Sequence, residues 1–136
     1  MISDPLAHEL RNAGVRWDPA PGDRFRIQAE ALGEDVFILS HMVIEPRHYE
    51  TGTVLHFNGT TEWALDSVAQ EDALWLPRED QLRELLGGTF LRMERSGGEF
   101  AVQTSGPDGQ VQSFAADDVE DAYAHALLEL VHRAVA

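Results

Sequence analysis

The chain has 136 residues, 43% of them apolar and 25% charged, a length and balance that can bury a core and that fit neither disorder nor a membrane span. It contains no cysteine, and its ten basic residues are all arginine; disulfides, thiolate catalysis, Cys-type zinc, a Schiff-base lysine and the P-loop lysine are therefore excluded. Twenty-four acids against ten arginines give a net charge of −14, a field that repels phosphate backbones and anionic lipid, so neither nucleic acid nor membrane is expected as a partner.

The opening MISDPLAHEL has no basic start and no hydrophobic stretch, so no secretion signal is expected and the cytoplasm is the expected location. The first element reads as a helix over about residues 4–13. Ser3 is placed to cap it, Asp4 and Pro5 suit its first turn, Leu6, Leu10 and Ala13 form one stripe, and Gly14 ends it. Trp17 to Asp23 contains two prolines and reads as a loop. Phe25 and Ile27 then alternate with Arg24 and Arg26 as a short strand.

Residues 36–58 carry the best strand signal. Val36, Ile38, Met42 and Ile44 share one parity; Phe37, Leu39, His41, Val43 and Glu45 share the other. Pro46 to Gly52 reads as a turn region and Val54 to Phe57 as the returning strand. A hairpin centred near residues 49–50 sets Met42 and Ile44 on the face of Leu55 and Phe57, and sets His41, Val43 and Glu45 with His56 and Asn58.

Thr60 or Thr61 is placed to cap a second helix to about Ala69, and Pro77 opens a third that ends at Leu86 before Gly87-Gly88. Phe90 to Arg95, Glu99 to Thr104 and Gln110 to Phe114 read as strands separated by Gly-containing turns. The last helix is announced by Asp117 and Glu120 as a capping pair. Its apolar rhythm runs from Val119 through Tyr123, Leu127 and Leu130 to Ala134. The expected fold class is α+β: a mainly antiparallel sheet of about five to six strands with helices packed on one face, in the order α-βββ-αα-βββ-α. It forms a single domain over residues 1–136.

The stretch FNGTTEWALDSVAQEDALWLPREDQLRELL, with RWDPAPGDRF and AYAHALLELVHRA, resembles a group of small uncharacterised bacterial proteins sometimes labelled pilus-assembly CpaE-type. That label implies a nucleotide-dependent ATPase related to the MinD class, which needs a P-loop. This chain has no G-x-x-x-x-G-K-[ST] and no lysine, so the label's biochemistry does not carry over, and the resemblance supplies no catalytic residue.

Three sets of residues could carry function. His41, Glu45 and His56, with His48 in the turn, suit a metal ion, although no fixed ligand spacing such as H-E-x-x-H accompanies them. Asp121, His125 and Glu129 lie at i,i+4 spacing on the last helix and read as its solvated face. Trp17, before a Pro-Gly loop, and Trp63, beside a presumed helix cap, are the candidate contacts for a partner. Trp75, between two leucines, reads as core or as a staple at the start of the next helix. Together these point to a non-enzymatic protein-binding module, with no catalytic residue and no cofactor assigned. The alternatives are a small metal-dependent or histidine-using enzyme and an acidic inhibitor, of the immunity-protein kind, that binds a basic partner. A sheet edge or face left open by the helices could also be covered by a second copy, giving a homodimer.

Overall fold

A computed structural model of the protein describes residues 1–28, 35–39, 44–49, 52–57, 67–69 and 72–135, with side chains described for 1–28, 35–39 and 72–134. In chain order its elements are α1 (Asp4–Asn12), β1 (Arg24–Ile27), β2 (Phe37–Ile38), β3 (Ile44–Tyr49), β4 (Gly52–Phe57), β5 (Ser67–Ala69), β6 (Ala73–Leu76), α2 (Glu79–Leu86), a 3-10 turn (Gly87–Thr89), β7 (Phe90–Ser96), β8 (Glu99–Ser105), β9 (Val111–Ala116) and α3 (Val119–Val135). The α+β class is as expected. The strands form three separate three-stranded antiparallel sheets, ordered β2-β1-β6, β3-β4-β5 and β7-β8-β9, in place of one sheet of five to six. The chain, read as one domain, divides into two compact units, residues 1–16 with 77–136 and residues 17–76.

The first unit uses both ends of the chain. Leu6 and Leu10 of α1, Leu82 and Leu86 of α2, and Tyr123 and Leu127 of α3 are all buried. Each helix therefore contributes its 3.6-residue stripe to one core. α3 packs on β8 and β9, with α1 and α2 against it, so α3 covers one face of the β7-β8-β9 sheet. Gly97 (φ 59°) and Gly98 (φ 88°) close the β7–β8 hairpin in the left-handed region that a tight two-residue turn needs.

The cap of α3 is Asp118, one residue beyond the expected Asp117. Asp118 Oδ1 accepts the backbone N–H groups of Glu120 (2.9 Å) and Asp121 (3.2 Å), which have no partner inside the helix. Ser3 occupies the N-cap position of α1 with extended backbone, but its side chain makes no cap hydrogen bond. Its own N–H donates instead to Asp121 Oδ1 at 2.7 Å, and the Met1 amino group meets Asp118 Oδ2 at 2.7 Å. The start of α1 is thus tied to the start of α3.

The second unit corrects two expectations, at residues 67–69 and 46–49. A helix running to Ala69 is replaced at its end by β5, which pairs Val54 with Ala69 and His56 with Ser67; residues 60–66 lie outside the described residues. Leu74 to Leu76 belong to β6, which pairs with β1 so that Trp75 lies opposite Phe25 and Ala73 opposite Ile27; Phe25, Ile27, Ala73, Leu74 and Leu76 are all buried. β3 runs on through Pro46 to Tyr49 where a turn was expected. Proline lacks an N–H, and β3 is an edge strand, where a missing ladder donor is tolerated.

Candidate functional site

The polar face of α3 carries His125, Glu129 and His132, all exposed, at i, i+4 and i+7. The opposite face of the helix is held by burial of Ala122, Tyr123, Ala126 and Leu127, so the direction of the polar row is fixed by the core. That row borders a cleft of about 500 Å³, open to solvent, completed by Glu9 of α1, by Leu128, and by Ser113, Phe114 and Ala115 of β9. Successive strand residues point to opposite faces of a sheet. Three consecutive residues lining one cleft therefore mean that the cleft meets β9 along its edge.

Leu128 is 6% exposed and Phe114 half-buried, giving the cleft an apolar floor. Two carboxylates and two imidazoles stand above it. The expected solvated face of α3 is thus divided in use. His125 and Glu129 line the cleft, whereas Asp121 accepts the Ser3 N–H and serves the packing of α1. Glu9, Ser113, Phe114 and His132 are cleft residues that the reading of the sequence did not single out. The only local signal for the strand side was an uncharged run, VQSFAA, between a turn and a helix.

The other candidates are placed as follows. The Trp17 indole N–H donates to Asp23 Oδ2 at 2.9 Å, and its ring lies 5.4 Å from that of Phe25. Asp23, only 2% exposed, also accepts the Ala20 N–H at 3.0 Å. Trp17 is half-buried and helps to close the loop that leads into β1. Trp63 lies outside the described residues. Trp75 is half-buried in β6 opposite Phe25, and its indole nitrogen is buried without a hydrogen-bond partner among the described residues.

The hairpin register sets Glu45 directly opposite His56 and His48 opposite Thr53. This retains the expected odd-with-even pairing, although the turn falls between Tyr49 and Gly52, later than the centre near 49–50. His41 lies outside the described residues, as do the side chains of Glu45, His48 and His56. Among the described residues no three histidine, aspartate or glutamate side chains converge closely enough to hold a metal ion, and no helix is long and apolar enough to cross a membrane.

No family model, no curated protein and no solved structure matches this chain.

Proposed function

We propose that this chain is a non-enzymatic protein-binding module of the cytoplasm, and that its contact surface is the cleft between α1, α3 and β9. The observation that carries this reading is the seating of a strand edge, uncovered among the described residues, beside an apolar floor with ionisable groups on its rim. Such an arrangement offers backbone hydrogen bonds, side-chain burial and charge selection at one place. Trp17 enters the reading as a framework residue, since Asp23 engages its indole N–H.

The test is site-specific photo-crosslinking in cells. A photoreactive residue in place of Ser113 on β9 is expected to give a discrete adduct with another protein, and one in place of Glu94 on β7 is not. Equal labelling from both positions, or none from Ser113, sinks the assignment.

One observation favours a second reading, a metal-binding protein or small metal-dependent enzyme. The register that faces Glu45 with His56 brings an imidazole-bearing and a carboxylate-bearing residue to one rung of the ladder. Stoichiometric heat on titration with zinc or manganese, abolished by His56→Ala, supports that reading; its absence removes it. The acidic-inhibitor reading is a special case of the first, in which the partner is a basic protein and affinity falls steeply with salt.

A further inference from the structure

We infer that the cleft receives an extended, arginine- or lysine-bearing segment of another protein, which pairs as a fourth strand of the β7-β8-β9 sheet with the edge of β9 that no strand covers among the described residues. This rests on the protein-binding reading above and names its partner chemistry.

The sheet's two edges, β7 and β9, differ in how they are protected. An edge strand presents a row of unpaired N–H and C=O groups, and natural proteins blunt such rows with charges, prolines, bulges or brevity. β7 is guarded. Arg92, Glu94 and Arg95 stand along it, and its register shifts between Phe90 and Arg92. Of the edges of the other two sheets, β2 and β5 are only two and three residues long, β3 carries Pro46, and β6 has four residues, mostly buried, and stops at Pro77. β9 has none of these devices. Its six residues, VQSFAA, contain no charge and no proline, and its pairing with β8 runs in unbroken register from Val111 to Ala116. Val111 is 61% exposed and Ser113 and Ala115 are exposed too. An uncharged edge of six residues in unbroken register is a template for strand addition.

The surroundings select the strand to be added. The cleft lies along this edge, so alternate side chains of an incoming strand would enter it beside Phe114 and Leu128 and meet Glu9 and Glu129 at the rim. Those carboxylates belong to a chain of net charge −14, whose residues 96–136 hold seven acids and one arginine. A basic segment is attracted by that field. A second copy of this chain would bring the same glutamates and the same negative charge to the contact, so self-pairing is disfavoured.

The test uses the full chain, labelled for amide NMR and hydrogen exchange, with a short peptide alternating arginine and valine. Two controls are its glutamate–valine counterpart and the arginine peptide N-methylated along one backbone edge. The arginine peptide is expected to slow exchange of outward-facing β9 amides by about ten-fold or more, and neither control is. Ala115→Lys, which gives β9 a guard of the kind β7 has, should abolish that protection while far-UV circular dichroism stays unchanged. Glu9→Gln with Glu129→Gln should weaken binding several-fold at low salt.

Equal binding of the glutamate peptide overturns the charge selection. Binding that leaves the β9 amides unprotected, or failure of every peptide, overturns strand addition. If Ser113 still crosslinks a partner in cells, the module reading survives that result. β9 protection that rises with protein concentration in the absence of peptide assigns the edge to a second copy and overturns the proposal.

Discussion

Asp23 shows how one buried carboxylate can organise a segment that two prolines keep out of regular structure. It accepts the Trp17 indole N–H and the Ala20 N–H on one oxygen, while its backbone carbonyl accepts from Leu39 at 2.8 Å. Asp23→Ala removes the acceptor of both donors, and each donor so deprived costs about 1–3 kcal/mol. Urea denaturation followed by tryptophan fluorescence should show the loss, with a smaller one for Asp23→Asn, which keeps an oxygen in place. Tyr123 makes the complementary case in the first unit. It is 1% exposed and stacked on Phe90 at 5.7 Å. Burial, and then the Glu79 carboxylate, push its hydroxyl above the ordinary value near 10. A raised folded value means that the native state holds the proton more tightly than the unfolded chain. Stability is then fully present below about pH 10 and falls as pH rises through the folded value. The chain has no lysine or cysteine and only two tyrosines, so this window is nearly free of other titrations. Tyr123→Phe should flatten the alkaline limb of a stability-against-pH curve; an unchanged limb would remove the assignment.

At the scale of elements, long amphipathic helices were legible because their signal repeats within a few turns of the chain itself. α3 was read almost to its ends, and only its cap moved, from Asp117 to Asp118. That difference is measurable: Asp118→Ala should cost about 1 kcal/mol in thermal or urea unfolding, and Asp117→Ala little. Short strands were less legible. β5 has three residues, too few to display a period of two, and its pairing with β4 is decided by contacts a dozen residues away. Pro46 carries the local signature of a turn because proline interrupts most strands, yet on an edge it removes a hydrogen bond that would not have been made within the sheet. Turns rich in glycine, at 97–98 and 106–109, were legible for the opposite reason, since their chemistry is local.

At the scale of the whole molecule, the candidate cleft was only half visible. The row His125–Glu129 could be drawn on a helical wheel, but Glu9 reaches it from the other end of the chain, and no local pattern encodes that meeting. The same long-range closure governs how the molecule is built. α1 packs against α3, and Met1 and Ser3 before it are held by Asp118 and Asp121, whereas residues 17–76 form a unit that is continuous in sequence. During synthesis the inner segment therefore emerges complete while the opening helix still waits for its mate. A nascent chain halted before residue 119 would carry the apolar side of α1 uncovered by α3, an invitation to chaperones that disappears once the last helix has left the ribosome.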